Sequence, residues 1–386
     1  MIRNISIGID LGSAKTKVVV AEFTKGEKNP KVIGVGESET KGVRYGYVIN
    51  QADAVTSLKI AIINAEKSSG IKIRRAFVSV NGATLHSEIS SGFSIISKAN
   101  SEVTNLDIKN ATEDCENNLN LNNKKVIQSF PISFKLDGKE ILGRIEGMRG
   151  NKLEIKAVFI TYSSQHLEDL LGVIADAGVE TINVIAGPIA GANLAISAKQ
   201  KVVGCGLVNI GSETVSLAVF ENEIPISIRT FSIGSSNITN DIALGLKIPL
   251  EEAEELKLGN FSEQYPKKKL DEIVSARLSD IFESIENHLK KIKRNELLPA
   301  GIVFIGGGAN VIGLEELSKS FLKLPSKIGS TEIFANAKTK LRDPAYFTAL
   351  GLVVSEDEKV YTDGSISNMF KNVKASLKSI TKQLMP

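Results

Sequence analysis

The sequence has few of the residues that build disulfide frameworks or thiolate metal sites. Its 386 residues include two cysteines, Cys115 and Cys205, and three histidines, His86, His166 and His288, all far apart. Disulfide scaffolds and zinc sites need such residues in closely spaced sets. Both kinds of structure are therefore excluded, and a reducing compartment is expected.

The chain also lacks an excess of one charge. It has 47 Lys and Arg residues against 44 Asp and Glu, a net charge of +3, and no basic stripe interleaved with aromatic residues. Nucleic-acid-binding proteins usually concentrate positive charge on one face. Nucleic acid is therefore not expected among the partners.

Long apolar runs and several catalytic strings are missing as well. No run is long enough to span a bilayer, and the N-terminus begins at once with a strand pattern in place of a signal peptide. Neither G-x-S-x-G nor G-x-x-x-x-G-K-[ST] occurs. What is present, 42% hydrophobic and 24% charged residues, predicts a folded soluble chain of two or more domains.

Residues 5–20 contain the pattern around which the chain is organised. An apolar run carrying Asp10 stops at Gly12 and Ser13 and resumes as Val18 to Val20, which predicts strand, tight turn and strand. Such a turn can bring backbone N–H groups close to a phosphate, and Asp10 can hold a metal-bound water. By itself, the segment is equally consistent with an ordinary hairpin.

The same pattern occurs again at residues 207–219. It aligns without a gap, so that Asn209 corresponds to Asp10, Gly211 to Gly12 and Ser212 to Ser13. A repeat at this spacing is too wide for a solenoid, and it indicates two related domains that open with the same hairpin.

Between the hairpins, the pattern predicts a third strand at 31–36, a helix at 51–68 and a strand at 76–80. The sequence pattern then changes over residues 83–162, where short runs of alternating apolar and polar residues surround one polar helix at 105–118. This change favours an inserted α+β subdomain. A continuous α/β domain with long loops remains the alternative. The parent domain resumes with helices at 164–177 and 187–198 around a strand at 182–185.

After the second hairpin, residues 224–231 read as its third strand, and helices follow at 236–246, from Pro249 and at 270–293. Residues 301–310 form an apolar strand that ends in Gly306, Gly307 and Gly308. Three glycines leave bare backbone against which a flat ring or sugar can lie, or they form a tight structural turn. Residues 345–354 are predicted to be the last core helix.

The tail has the pattern of a cationic amphipathic helix. Residues 355–365 are polar and read as a linker. The apolar positions that follow recur at steps of three and four, with lysines elsewhere and no acidic residue between them. This pattern is typical of a helix that lies in the membrane surface on anionic lipid; docking on the body or on a partner is the alternative. The proposed membrane-contacting residues are Ile366, Met369, Phe370, Val373, Lys374, Leu377, Lys378, Ile380 and Leu384.

Together these motifs resemble the actin-like ATPase superfamily and, within it, the FtsA family of bacterial cell division. The resemblance implies an α/β fold: duplicated actin-like (ribonuclease-H-like) domains flank a nucleotide cleft, with an α+β insertion in the first domain and a C-terminal amphipathic helix. The implied first domain comprises residues 1–82, 163–200 and 343–355, and residues 83–162 are inserted in it. The implied second domain has a core of residues 201–230 and 299–342 and a helical/β subdomain of residues 231–298. Residues 356–365 would be the linker, and residues 366–386 the membrane helix.

The resemblance also implies ATP and Mg²⁺ as ligands. Asp10 would hold the metal through water, and the 253–257 segment would be the purine-side helix. The implied nucleotide-contacting residues are Asp10, Gly12, Ser13, Ala14, Lys15 and Thr16 in the first phosphate loop, Asn209, Gly211, Ser212, Glu213 and Thr214 in the second, and Glu254, Lys257, Gly306, Gly307, Gly308 and Asn310 around the nucleoside.

Two departures from the family pattern bear on catalysis. Active relatives start the second phosphate loop with Asp and carry Glu before the proline of the small-residue helix, whereas this chain has Asn209 and Gly187. Without these carboxylates, metal ligation is weaker and no obvious residue orients the attacking water. ATP binding with slow or absent turnover is therefore expected, and no residue is singled out as catalytic.

The function implied by the resemblance is that of a filament-forming adaptor. It would polymerise on the cytoplasmic face of the cell's inner membrane at the division site. Its second domain would bind the C-terminal peptide of FtsZ, and its inserted subdomain would contact neighbouring subunits or later division proteins. A PilM-like pilus-assembly ATPase is the alternative, and a small-molecule kinase of the same fold is less consistent with the tail helix.

Overall fold

The computed structural model describes residues 4–24, 29–97, 101–260, 265–331, 333–334 and 339–355. Sixteen strands and ten α-helices form within these ranges. The strands are β1 (Asn4–Leu11), β2 (Lys15–Phe23), β3 (Lys31–Glu39), β4 (Val43–Arg44), β5 (Tyr47–Val48), β6 (Arg75–Val80), β7 (His86–Ile95), β8 (Lys124–Leu136), β9 (Lys139–Ile141), β10 (Lys152–Ser163), β11 (Glu180–Ala186), β12 (Cys205–Ile210), β13 (Val215–Glu221), β14 (Ile224–Phe231), β15 (Ile302–Ile305) and β16 (Ser326–Ile328). The helices are α1 (Gln51–Ser69), α2 (Asn105–Asn117), α3 (Ser164–Asp176), α4 (Gly187–Ala195), α5 (Ala198–Val203), α6 (Ser235–Leu246), α7 (Leu250–Lys257), α8 (Lys267–Lys291), α9 (Leu314–Leu322) and α10 (Phe347–Val354).

The chain forms two compact units. Among the described residues, the first unit comprises those within 4–88, 121–129 and 160–354, and the second comprises those within 89–120 and 130–159. The insertion predicted over 83–162 is therefore wider than the compact second unit, because its flanking strand ends pack with the first.

Two sheets of the first unit have the same topology. One has the order β11-β6-β1-β2-β3, in which β1, β2 and β3 are antiparallel neighbours and β6 and β11 add in parallel. The other contains the order β16-β15-β12-β13-β14, in which β12, β13 and β14 are antiparallel neighbours and β15 and β16 add in parallel. The predicted duplication is confirmed at the level of the whole sheet.

Local sequence explains where the first long helix begins and ends. The Asn50 side chain accepts a hydrogen bond from the Asp53 N–H at the N-terminus of α1, and Gly70 ends the helix with a φ of 71°. Both features are typical helix boundaries. The apolar face of α1 packs on β3 and β2, as its helical period predicts.

Helices α4 and α10 cross at the centre of the first unit. All but one residue of α4 is buried, and α10 packs against both α4 and β1. A Cβ at Gly351 would lie 1.8 Å from the Ala190 carbonyl oxygen, so only glycine permits this approach. Helix α4 was predicted to continue to residue 198, but it ends at Ala195, because the Ser197 side chain caps the separate helix α5.

A second core lies between the duplicated sheet and helices α6, α7 and α8. Helix α8 buries Val274, Leu278, Ile281, Phe282 and Ile285 against this sheet and its neighbours. The region 231–298 was expected to mix helices and strands. Beyond the end of β14 its described residues form α6, α7 and α8 and no strand.

In the second unit, parts of β7, β10, β8 and β9 form a sheet in that order, accompanied by α2. Thr104 and Asp107 form a capping box at the start of α2, and Cys115 of this helix is buried. A Cβ on Gly92 would lie 2.4 Å from the Cys115 nitrogen, which shows how closely α2 approaches β7.

No helix within the described ranges is long and apolar enough to cross a membrane. The linker and amphipathic helix predicted for 356–386 lie outside the described residues.

Candidate nucleotide site

The turns of the two duplicated hairpins face one cavity of about 420 Å³ in the first unit. Residues from both sheets, from α6, α7 and the segment before α10 line it. They are Asp10, Gly12, Ser13, Ala14, Lys15, Lys17, Glu37, Gly46, Asn81, Asn209, Gly211, Ser212, Glu213, Thr214, Ser216, Ser235, Ser236, Glu254, Lys257, Leu258, Gly306, Gly307, Asn310, Asp343, Ala345, Tyr346 and Thr348.

The strand registers bring the two turns into equivalent positions. Asp10 pairs with Lys17 across the first hairpin, and Asn209 pairs with Ser216 across the second. The Gly211 N–H donates to the Thr214 carbonyl at 2.8 Å, which closes the second turn. The tips of both turns therefore present small and polar residues to the cavity.

Asp10 is buried at the end of β1, where its carboxylate has two neighbouring donors. The Ser79 hydroxyl donates to Asp10 Oδ1 at 2.6 Å, and Asn81 Nδ2 donates to the same oxygen at 3.0 Å. The described residues contain no group of three or more His, Cys, Asp or Glu side chains placed to hold a metal ion. A metal here would rely on Asp10 and on bound water, a pattern usual for Mg²⁺.

Lys17 is a half-buried cation that lines the cavity beside the first turn. Its Nζ donates to the Ala345 carbonyl at 2.7 Å and lies 5.4 Å from the centre of the Tyr346 ring. Burial lowers the pKa of Lys17, and the carboxylates of Asp10 and Asp343 oppose this shift. An ammonium group held among carboxylates and a ring is suited to attract a polyanionic ligand.

The Tyr346 hydroxyl, close to Lys17, has polar neighbours of its own. This hydroxyl donates a short hydrogen bond to Glu37, and Lys15 Nζ lies 3.4 Å from the other Glu37 oxygen. Burial, assisted by Glu37, raises the pKa of Tyr346. Asp343 Oδ1 accepts hydrogen bonds from Asn310 Nδ2 and from the Ala345 N–H, both at 2.9 Å.

At the other end of the cavity, Lys257 and Glu254 form an ion pair on helix α7. Lys257 Nζ donates to Glu254 Oε2 at 2.6 Å and to Thr239 Oγ1 at 3.0 Å. The Lys257 side chain is 3% exposed and that of Glu254 is 44% exposed. Burial lowers the pKa of Lys257, and Glu254 counteracts the shift.

A tight hairpin between β4 and β5 joins the two turns. Arg44 donates a short hydrogen bond to Glu213, and the Tyr45 N–H donates to the other Glu213 oxygen at 2.7 Å. The adjacent Gly46 N–H donates to Ser13 Oγ at 3.0 Å. The tip of this hairpin therefore bridges the first and second turns at the edge of the cavity.

Strand β15, which pairs with β12, ends at Ile305, and the next residue, Gly306, has a φ of 88°. A Cβ there would lie 2.3 Å from Asn209 Oδ1 and 2.4 Å from the Ile210 carbonyl oxygen. Gly306 and Gly307 line the cavity, and the space around Gly307 is open. Gly308 is buried against Ile210 and Ser235, so its lack of a side chain serves packing.

Two residues expected at the site, Thr16 and Gly308, are not among the described residues that line the cavity. Thr16 is fully buried, and its hydroxyl pairs with that of Thr40 at 2.8 Å. Successive side chains of a strand point to opposite faces, so Lys15 and Lys17 reach the cavity while Thr16 points away. The same alternation would have identified Lys17, which the sequence analysis missed.

The other missed residues come from distant parts of the chain. Glu37 lies near the end of β3, Asn81 follows β6, and Asp343, Tyr346 and Thr348 precede or begin α10. A sequence pattern indicates the element in which such a residue lies, but it does not indicate which elements meet.

The matches to family models and to known proteins agree with this geometry. A model described as "Cell division protein FtsA" matches residues 206–351, and one described as "SHS2 domain inserted in FTSA" matches residues 82–161. FtsA of Bacillus subtilis (strain 168) is 28% identical over 369 residues, which cover 90% of this chain and 82% of that protein. FtsA of Streptococcus pneumoniae serotype 2 is 29% identical over 367 residues, which cover 89% of this chain and 78% of that protein.

Solved structures show the same fold at low identity. The PilM–PilN type IV pilus biogenesis complex contains a chain that superposes with a TM-score of 0.69 at 16% identity, covering 91% of this chain and 98% of that one. MreB5 of Spiroplasma citri bound to ADP superposes with a TM-score of 0.53 at 13% identity, covering 95% and 99%.

The two FtsA models cover both the duplicated second domain and the insertion, and the FtsA relatives align over about nine-tenths of the sequence. The chain belongs to the FtsA family of actin-like cell-division proteins.

Proposed function

We propose that this chain binds ATP in the cavity between the two hairpin turns. The observation that carries the proposal is that two equivalent turns, each with a glycine, face a single cavity beside the half-buried ammonium of Lys17. Glycine turns let backbone N–H groups approach phosphates, and a nearby cation adds attraction. MreB5 of Spiroplasma citri, which shares the fold, has been solved with bound ADP.

Within this proposal, the first and second turns and Lys17 contact the phosphates. Asp10 holds Mg²⁺ through water, and the metal's role when bound is to neutralise phosphate charge. Helix α7, with Glu254 and Lys257, and the backbone at Gly306 and Gly307 contact the nucleoside. The open space at Gly307 and the small residues of both turns fit a ligand that lies close to the backbone.

The acidic residues of the cavity favour binding over hydrolysis. Each carboxylate is already engaged: Asp10 by Ser79 and Asn81, Glu213 by Arg44, and Glu254 by Lys257. Glu37 and Asp343 are likewise bonded to neighbours. A general base needs a carboxylate that can accept the proton of water at the reacting phosphate. We therefore expect slow or negligible turnover, with ATP acting as a conformational ligand.

A phosphate-release assay tests this part of the proposal. Binding of a fluorescent ATP analogue is expected together with release well below about one phosphate per second, the lower range of ordinary enzymes. Turnover at or above that rate would contradict the binding-only assignment. Failure to bind the analogue in Mg²⁺ would contradict the nucleotide site itself.

At the cellular level, we propose that the chain polymerises on the cytoplasmic face of the inner membrane at the division site and links FtsZ to that membrane. Family membership supports the role in cell division, and the cationic amphipathic pattern of residues 366–386 supports the membrane contact. The second domain would bind the FtsZ C-terminal peptide. The inserted subdomain would contact neighbouring copies or later division proteins.

Co-sedimentation with liposomes that contain anionic lipid tests the membrane contact. The full chain is expected to pellet, and a variant that lacks residues 366–386 is expected to remain in solution. Phe370→Asp places a charge on the predicted apolar stripe and should reduce binding, whereas Asn368→Asp makes the same charge change on the opposite face and should reduce it less. Equal binding by the truncated chain would refute the tail assignment.

The fold is also that of PilM, so the partner must be tested directly. Immobilised FtsZ C-terminal peptide is expected to retain the chain, and a scrambled peptide of the same composition should not. Retention by a PilN-type peptide in place of the FtsZ peptide would favour the pilus alternative.

A further inference from the structure

Gly187 stands directly before Pro188 at the start of α4, and the resemblance to the actin-like ATPases implies an acidic residue at this position in active relatives. Gly187 is buried, and it is not among the described residues that line the cavity. Asn81, which follows β6, does line the cavity. The two residues are 106 positions apart in the sequence and meet only in the folded chain.

The side chain of Asn81 fills the space that a side chain at position 187 would need. A Cβ built on Gly187 would lie 1.9 Å from Asn81 Oδ1, 2.8 Å from Cγ and 3.1 Å from Nδ2. Carbon–oxygen contacts at van der Waals distance are far longer than the first of these. Any residue larger than glycine at 187 must therefore displace the Asn81 amide.

Hydrogen bonds hold Asn81 in this place. Its Nδ2 donates to Asp10 Oδ1 at 3.0 Å and lies 3.1 Å from Ser79 Oγ, while its backbone carbonyl accepts from the Tyr162 hydroxyl at 2.8 Å. Tyr162 is fully buried. Moving the amide away from Gly187 would break its bonds within the buried Asp10 network, so the clash has no inexpensive relief.

We propose that Asn81 is the positioning residue at the phosphate end of the cavity, and that it takes the volume of the acidic side chain missing at 187. A neutral amide bonded to Asp10 can hold water near this carboxylate, but it cannot accept a proton as a general base. Asn81 and Gly187 therefore form a matched pair that favours retention of ATP over its hydrolysis. This assignment rests on the proposed nucleotide site for its function, but the steric pairing does not.

Thermal unfolding of the full chain without nucleotide tests the pairing. Gly187→Ala should lower the melting temperature by a few degrees because its methyl group meets the amide, and Asn81→Ala should lower it because the bonds to Asp10 are lost. The double variant should melt no lower than Asn81→Ala alone, since the amide that the methyl would meet is gone.

Gly172→Ala on α3 is the matched control, because its Cβ would meet only the end of Gln51 at 3.4 Å. It should leave the melting temperature unchanged or raise it, because alanine is favoured over glycine inside a helix, and its combination with Asn81→Ala should be additive. Additive losses for Gly187→Ala and Asn81→Ala would overturn the steric pairing.

Phosphate release and nucleotide affinity test the functional part. Gly187→Glu with Asn81→Ala should release phosphate about 10-fold faster than the unchanged chain, because a carboxylate then has room beside the cavity. Gly187→Glu alone should show no such gain. Equal gains in the single and double variants, or none in a double variant that still binds ATP, would overturn the proposal. If the unchanged chain does not bind ATP, the proposed nucleotide site is wrong. The melting temperatures of the variants would then still test the steric pairing of Asn81 with Gly187.

Discussion

The two hairpins of this protein have the same backbone but different chemistry. In both, strands pair antiparallel with the same register around a glycine turn, and both turns face the same cavity. The first hairpin carries a carboxylate and an ammonium group, Asp10 and Lys17, at the positions where the second carries Asn209 and Ser216. The duplication therefore preserves the backbone geometry of the turn, whereas the charges at this pair of strand positions are present in the first hairpin only.

The surroundings of the two turns differ accordingly. Asp10 is bound by Ser79 and Asn81, whereas Asn209 Nδ2 lies 3.4 Å from Thr348 Oγ1 and its Oδ1 lies beside Gly306. A backbone turn tolerates loss of a charged side chain because its N–H groups supply the anion contacts. Metal ligation and proton transfer need the side chains themselves, and Asn209 and Ser216 do not offer the carboxylate and the ammonium group that Asp10 and Lys17 offer.

The largest expected effect is a difference in ATP affinity between a variant of Lys17 and a variant of its counterpart Ser216. Lys17→Met should weaken ATP binding about 10- to 100-fold, because one charge-assisted contact to a phosphate is lost. Ser216→Ala should change the affinity by less than about threefold, since no charge is removed. Titration with a fluorescent ATP analogue measures both, and circular dichroism checks that both variants are folded. Equal losses would show that the charge asymmetry has no bearing on binding.

The next comparison gives each of the equivalent positions 10 and 209 the residue found at the other. Asp10→Asn should weaken ATP binding about tenfold in Mg²⁺ and have little effect in EDTA, because only the metal-dependent part is removed. Asn209→Asp should increase the dependence on Mg²⁺ by restoring a second carboxylate. Calorimetric titrations with and without Mg²⁺ would measure both variants. A loss in Asp10→Asn that is the same in EDTA would argue against a metal contact.

A smaller effect is expected where the β4–β5 hairpin bridges the two turns. Glu213→Gln weakens the contact with Arg44, and we expect ATP to dissociate about two to five times faster, because the Arg44 side chain is 55% exposed and such pairs are weak. Arg44→Gln should have a similar effect, and the double variant should add little. Stopped-flow dissociation at low and high salt measures this; additive rates would show that the two residues do not act together.

The smallest effect concerns stability in the second domain only. Burial lowers the pKa of His288 to about 4, with help from the nearby charges of Arg229 and Lys291, and Ser227 Oγ lies 2.8 Å from its Nε2. The unfolded chain, with an ordinary histidine pKa, binds the proton more readily. Stability is therefore expected to be lost as the pH falls from about 6.5 towards 4.

His288→Asn should flatten this part of the pH profile. Urea unfolding between pH 4 and pH 8, followed by circular dichroism, measures the change. His86→Asn is the matched control, because the same substitution is then made at a histidine whose side chain lies by Lys124 and Glu88 at the start of β7. A profile that His288→Asn leaves unchanged would contradict the assignment.

Most of the secondary structure could be predicted from periodicity and turn residues. The third strand of the second hairpin, Ile224–Phe231, has the predicted ends, and α3 and α6 differ from prediction by one residue. The error at α4 arose because small apolar residues continue to residue 198, while Ser197 caps a new helix. An apolar run does not show where one helix ends and the next begins.

The candidate site was predictable to the extent that it consists of local turns. Glycines and small polar residues indicate backbone that approaches an anion, and both turns could be located in this way. Thr16 was expected at the cavity and Lys17 was not, because the alternation of side chains along β2 was not applied to the loop. Asn81 and Tyr346 were missed because their place at the cavity depends on which distant segments meet there.

The sequence by itself determined the two hairpins and their duplication, since each of these depends on residues that are neighbours in the chain. Only the tertiary structure decided that Asn81 stands against Gly187, that Tyr346 packs beside Lys17, and that Arg44 reaches Glu213. The physical reason is that steric exclusion and electrostatics act over a few ångströms of space, whereas sequence order constrains only distance along the chain.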